Sequence, residues 1–209
     1  MGLMEWDAMY RAGTPPWDTG CPSLELVTAV EERLLRPCAA LELGCGTGAN
    51  AVYLARKRFE VTAVEGSPLA LERARLRSQQ SNALIRFVLG DVFDFGRNGG
   101  RFDLVYDVGF YHFIRQTELG RFLDLLWWVT KPGSYYFTLA GASGEPAEGG
   151  PPQVSEEEGR DELGRLFEIV RLRPFRFEGP LRADGFAGWS CLMRRPLIAA
   201  PGDSQATSP

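Results

Sequence analysis

Apolar and polar positions along the chain keep switching between a helical and a strand period. From 24 to 36, Leu24, Leu26, Val27, Val30, Leu34 and Leu35 recur at helical spacing behind Ser23, a residue suited to an N-cap, until Pro37 stops the pattern. Cys38 to Leu43 is a short apolar run that reads as a strand; it ends in Gly44, Gly46 and Gly48, after which Asn50 to Arg58 returns to helical period. The unit then repeats. Phe59 to Glu65 reads as a strand, Ser67-Pro68 as an N-cap followed by proline at the first helical position, and 69–80 as an amphipathic helix. Ile85 to Leu89 and Phe102 to Asp107 supply a third and a fourth strand. A helix from Thr117 to Val129, stopped by Lys131-Pro132-Gly133, leads to a fifth from Tyr135 to Ala140. Ser155 and Glu158 form a capping box that opens a helix to about Leu166, and Phe167 to Phe177 and Gly188 to Arg195 alternate as two more strands. Strands joined mostly by helices predict an α/β fold with a doubly wound, mostly parallel sheet, because parallel neighbours need crossover connections. It has seven strands, with an antiparallel last strand.

Three segments stand outside this alternation. Residues 1–22 carry Trp6, Tyr10 and Trp17 around a Pro15-Pro16 break, and read as a packed arm or a lid. Residues 141–154 are rich in Gly, Pro and Glu, which predicts a mobile loop long enough to act as a second lid. Residues 197–209 lack periodicity and read as a disordered tail, leaving 23–196 as one catalytic-sized domain.

Charge narrows the partners. The 209 residues hold 23 Lys and Arg against 27 Asp and Glu, a net charge of −4, which argues against a dedicated nucleic-acid binder and for a small substrate. No apolar run approaches the roughly 18 to 20 residues of a spanning helix, so no membrane partner and a cytoplasmic location are expected. Four scattered cysteines and one histidine suggest neither a disulfide framework nor a metal site.

The candidate chemistry begins at Glu42-Leu43-Gly44-Cys45-Gly46-Thr47-Gly48, where the first strand meets its helix and open α/β sheets bind ligands. Glycines let a ligand approach the backbone, but Gly44, Gly46 and Ala49 also satisfy the looser dinucleotide fingerprint. Two carboxylates sharpen the signal. Glu65 ends the second strand, where it can accept from both hydroxyls of a ribose, and Asp91 follows the third, where it can accept from a purine's exocyclic amine.

With ELGCGTG, VTAVE and GDVFD in these places, the chain resembles the class I S-adenosylmethionine-dependent methyltransferases over about residues 20–195. The resemblance implies S-adenosyl-L-methionine as cofactor, held around Trp17, Glu42, Gly44, Cys45, Gly46, Gly48, Glu65, Gly66, Asp91, Val92 and Asp107. The arm, WDAMY followed by TPPWDTG, is similar to that of the thiopurine, thiol, halide and tellurite-resistance methyltransferases. This implies a small-molecule acceptor that is a soft nucleophile: a thiol, a halide or a chalcogen oxyanion. An aromatic face there can hold a sulfonium by cation–π attraction. The segment YDVGFYH after the fourth strand then lines the acceptor pocket, with His112, Asp107 and Tyr111 as candidates for a base where the acceptor arrives protonated. Tyr10 is a further candidate. Val108 stands where the resembled family often has an arginine, so recognition of an anion through that side chain is not expected. No Asn/Asp-Pro-Pro-Tyr or Pro-Cys segment follows strand four, which argues against DNA methylation. A nicotinamide oxidoreductase, a non-catalytic cofactor-binding protein and a protein methyltransferase are the alternatives the sequence leaves open.

Overall fold

The computed structural model describes residues 3–145, 150–178 and 183–197. The centre of the predicted 141–154 lid and the tail beyond Leu197 lie outside the described residues. An N-terminal helix, α1 (Leu3–Ala12), precedes α2 (Leu24–Glu31), β1 (Ala39–Leu43), α3 (Ala49–Arg56), β2 (Glu60–Glu65), α4 (Pro68–Gln80) and β3 (Ile85–Leu89). There follow α5 (Val92–Asn98), β4 (Phe102–Val108), α6 (Tyr111–Val129), β5 (Thr130–Ala142), β6 (Gln153–Val154), α7 (Glu156–Leu163), β7 (Glu168–Phe177) and β8 (Phe186–Arg194).

The sheet runs β3-β2-β1-β4-β5-β8-β7, with the two-residue β6 pairing β5 off this path. All of its pairings are parallel except those of β8, which is antiparallel to both β5 and β7. The parallel strands therefore end along one edge, where β1 and β4 lie side by side. Helices cover both faces. Leu26, Ala29, Ala51, Leu54 and Leu71 from α2, α3 and α4 pack with Leu104, Tyr106 and Phe137 on one side. Phe122, Leu125, Leu126 and Val129 of α6 pack with Val105, Tyr136 and Met193 on the other, joined by Val92 of α5 and Leu163 of α7. No helix among the described residues is long and apolar enough to cross a membrane.

Two of the three predicted caps form. Ser67 Oγ accepts from Ala70 N at 3.2 Å, with Pro68 next to it, and both halves of the Ser155–Glu158 capping box are made. Ser23 differs: its side chain caps nothing, and its N–H instead donates to Asn50 Oδ1 at 2.9 Å. The helix predicted for 24–36 stops at Glu31, because Arg33 takes a left-handed φ of 59°. Two helices went unpredicted, α1 and the short α5. The helix expected from Thr117 begins six residues earlier and carries a non-helical residue, Glu118 (φ −133°, ψ 26°), so the predicted start marks an internal break. Lys131-Pro132-Gly133 ends that helix as expected, yet forms a bulge inside β5: Thr130 pairs with Phe102, and Tyr135 resumes opposite Leu104.

Gly48 fastens α3 to α4. Its φ is +77°, and a Cβ there would stand 2.8 Å from Ala74 Cβ. Gly48→Ala should therefore lower stability by about 1–3 kcal/mol through left-handed strain and overpacking, read as a lower urea midpoint at unchanged m-value.

Candidate active site

The loop after β1 is held by backbone and by one carboxylate. Gly44 N and Cys45 N both donate to Val64 O at 3.0 Å, lashing the loop to β2. Gly46 N donates to Glu65 Oε2 and Ser67 N to Glu65 Oε1, each at 2.8 Å. Gly66 N–H adds to the same carboxylate. Gly44 and Gly46 both have positive φ, and neither position has room for a side chain: a Cβ would lie 2.9 Å from Phe110 Cδ2 at Gly44 and 2.9 Å from Tyr10 Oη at Gly46. Cys45 is buried, and burial pushes its thiol well above the ordinary range, which suits packing and not nucleophilic chemistry.

Glu42 lies beneath this loop with 1% of its surface exposed. Tyr106 Oη donates to Glu42 Oε2 at 3.0 Å and the Asn50 amide adds a further bond, yet burial still pushes the carboxyl up to about 8. Burial likewise raises Glu65, opposed by its three backbone donors. Asp91 caps α5 by accepting from Phe93 N at 2.9 Å through Oδ1, and its other oxygen has no partner among the described residues. The side chain of Val92 is in the core, so only its backbone can meet a ligand.

The arm is built onto this edge. Asp7 of α1 accepts from Ser67 Oγ at 2.7 Å and from Arg11 Nε at 2.7 Å. Arg73 of α4 reaches back to the carbonyls of Tyr10 and Gly13. Further along, Thr47 Oγ1 of the glycine loop donates to Asp18 Oδ1 at 2.9 Å. Between these ties Trp17 Nε1 donates to Tyr10 Oη at 3.3 Å, and Trp17 meets Trp6 edge-on at 5.4 Å. Trp6 in turn meets Phe113 of α6 at 5.0 Å. The arm thus spans from the glycine loop to the start of α6. Tyr10 is 3% exposed and Trp17 43%, so the first seals and the second borders solvent.

On the β4 side the three candidate bases separate. Asp107 has no exposed surface: Oδ1 accepts from Phe110 N (2.9 Å) and Tyr111 N (3.0 Å), and Oδ2 from Tyr136 Oη (2.6 Å). Burial pushes its carboxyl up to about 6 against these donors. It thus holds the first N–H groups of α6, and these donors compete with any role as a base. Tyr111 points elsewhere: its hydroxyl donates to Glu162 of α7 at 2.6 Å and its ring stacks on Phe122 in the core. His112 alone stays at the sheet edge. Its Nδ1 accepts from Gly141 N at 2.9 Å, its ring lies edge-on to Phe113 and Phe177, and burial alone lowers its pKa to about 3.

A family model described as a methyltransferase domain matches residues 40–133. A probable thiol methyltransferase 2 from Arabidopsis thaliana is 30% identical over 154 residues, covering 73% of this chain and 68% of the relative. The chain belongs to the S-adenosylmethionine-dependent methyltransferases. A 2-heptyl-1-hydroxyquinolin-4(1H)-one methyltransferase from Mycobacteroides abscessus is 26% identical over 178 residues, 84% of this chain and 77% of that one. Among solved structures, one reported under the heading "Conversion of a Disulfide Bond into a Thioacetal Group during Echinomycin Biosynthesis" superposes with a TM-score of 0.82 at 25% identity, covering 94% of both chains.

The residues of this methyltransferase fit its cofactor. Bare glycine backbone, two buried carboxylates and an aromatic cover suit a ligand that joins a ribose to a cation. Trp6 was read from sequence only as part of the arm, and Asp7, Asp18, Phe110 and Phe113 were not singled out as site residues. For the aromatics the four-residue spacing of Trp6 and Tyr10 was a usable signal; for Asp7 there was none, because its partner is 60 residues away.

Glu42 gives the methyltransferase a stability signature. With a folded pKa near 8 against an ordinary 4.5, the folded state keeps a proton that the unfolded state releases, so stability falls as pH rises from 4.5 to 8 and then levels. Glu42→Gln should abolish the part of this fall between pH 7 and 8, a window above the values of Asp107 and of an unfolded histidine. Urea midpoints at the two pH values check it.

Proposed function

We propose that this methyltransferase transfers the methyl group of S-adenosylmethionine to a small soft nucleophile, of the thiol, halide or chalcogen-oxyanion class, in the cytoplasm. The observation that carries the reading is the aromatic arm fastened at once to the glycine loop, through Thr47–Asp18, and to α6, through Trp6–Phe113. An aromatic strap laid across the sheet edge suits a small acceptor better than a protein chain. The similarity to a thiol methyltransferase points the same way.

In this reading Glu65 receives the ribose hydroxyls and Asp91 the adenine amine, while Gly44, Gly46 and Gly48 present backbone to the amino-acid tail. When bound, the cofactor supplies an electrophilic methyl on a cationic sulfur. Trp17, Tyr10 and Trp6 exclude water and align the acceptor, and alignment with desolvation accounts for most of the acceleration of such a displacement.

A screen of thiols, iodide, selenite and tellurite for methylated product tests the acceptor class; activity confined to amines or to a protein would overturn it. Glu65→Ala should weaken cofactor binding by about 1.5–3 kcal/mol, the range for hydrogen bonds to a charged group, as read by calorimetry. Residues 5–20 should gain hydrogen-exchange protection when S-adenosylhomocysteine binds, as a lid does. Unchanged protection makes them a fixed strap.

A further inference from the structure

The chain's single histidine sits where the two halves of the site meet. β4 is the direct neighbour of β1, and Phe110, the residue after Gly109, stands over the glycine loop, 2.9 Å from where a Cβ on Gly44 would lie. A Cβ at Gly109 would lie 3.4 Å from both Cε1 and Nε2 of His112, which places that side of the ring over bare backbone beside the glycine loop. The opposite ring nitrogen is committed. Gly141 N–H can only donate, so Nδ1 must present its lone pair, and in a neutral imidazole the proton then resides on Nε2. Protonating the ring would set one N–H against another.

The surroundings do nothing to reverse this. His112 is 3% exposed, and its neighbours are Phe113 from α6, Phe177 from β7, and the backbone of Gly109 and Gly141. The nearby Asp107 spends both oxygens on Phe110, Tyr111 and Tyr136. Burial is the sole cause of the ring's lowered pKa, with no carboxylate to support an imidazolium. Among the described residues Nε2–H has no acceptor, yet it is not one of the sealed unpartnered atoms, which are Arg77 Nη1 and Thr138 Oγ1.

We propose that His112 serves the acceptor as a fixed N–H donor and not as a base, so that this enzyme methylates nucleophiles already ionised when they bind. This rests on the methyltransferase reading of the site. The acceptor anion donates its lone pair to the methyl carbon as the carbon–sulfur bond breaks, and that bond's pair stays on sulfur. The negative charge of the acceptor and the positive charge of the sulfonium cancel, and no proton moves. A single N–H donor inside an aromatic wall selects a thiolate or an oxyanion on an apolar frame, and does so without the arginine that Val108 replaces.

Because the chain has one histidine, the ring nitrogens of ¹⁵N-histidine-labelled protein give one unambiguous imidazole spectrum, with no need for activity. The expected spectrum is a bare Nδ1 and a protonated Nε2, unchanged from pH 5.5 to 8. A proton on Nδ1, or titration in that range, overturns the proposal whatever the enzyme methylates. In turnover, the pH midpoint of kcat/KM should follow the acceptor's own pKa across a series of thiols; a midpoint that stays fixed across the series identifies a protein base instead. His112→Phe should lower kcat/KM roughly 10–100-fold, the loss expected for one hydrogen bond to a charged group, and His112→Gln should recover most of it. Equal losses in both folded variants overturn the donor role.

Discussion

Glu65 ends β2 with its carboxylate turned inward, and the cofactor edge is assembled around it. One oxygen takes the N–H of Gly46 and the other that of Ser67, so the glycine loop and the first turn of α4 are fixed to the same rigid group. Ser67 then passes the connection on, its hydroxyl donating to Asp7 at 2.7 Å and so seating the arm. Two hydrogen bonds at one carboxylate therefore decide where three segments distant in sequence lie. A charged acceptor makes such bonds stronger than neutral ones, and burial keeps water from competing for them.

The same burial has an electrostatic cost. Glu42, Glu65 and Asp107 are all raised by desolvation, and the buried Cys45 thiol is raised partly by Glu42 and Glu65. A cation brought into such a place would favour the ionised form of these buried carboxyls, where an anion would oppose it. The sheet edge is thus divided electrically as well as topologically. Its β1–β2 half carries Glu42 and Glu65, whereas its β4–β5 half sets the His112 imidazole among phenyl rings beyond an Asp107 carboxyl already held by Phe110, Tyr111 and Tyr136.

The alternation of strand and helix was legible because the central strands β1, β2, β4 and β5 are apolar runs buried almost throughout, while the edge strand β7 alternates between exposed and covered positions. The caps at Ser67 and Ser155 were legible because their partners lie three residues away. Long-range partnership was not. Asp107 looks like a candidate base at the end of a strand, and only the fold reveals that Phe110, Tyr111 and Tyr136 take both its oxygens. Tyr111 turns toward Glu162 for a similar reason, an anion 51 positions away. The start of α6 was missed with it, since a helix capped from Asp107 bears no N-cap signal at Phe110, whose side chain caps nothing. The glycine loop was read from its spacing, but what stands over Gly44 and Gly46 is aromatic side chain from two other segments.

β8 is the one strand that runs against the rest, and this brings its beginning, with the end of β7, to the acceptor half of the edge. Arg176 near the end of β7 bonds Glu145 beyond β5 at 2.9 Å and Asp184 before β8 at 3.2 Å, so the connections on that side are tied to one another. The Glu65 contacts that fix the glycine loop lie on the β1–β2 side of the same edge. The strand reversal thus gives the edge two independent sets of fastenings, one centred on a carboxylate and one on a guanidinium.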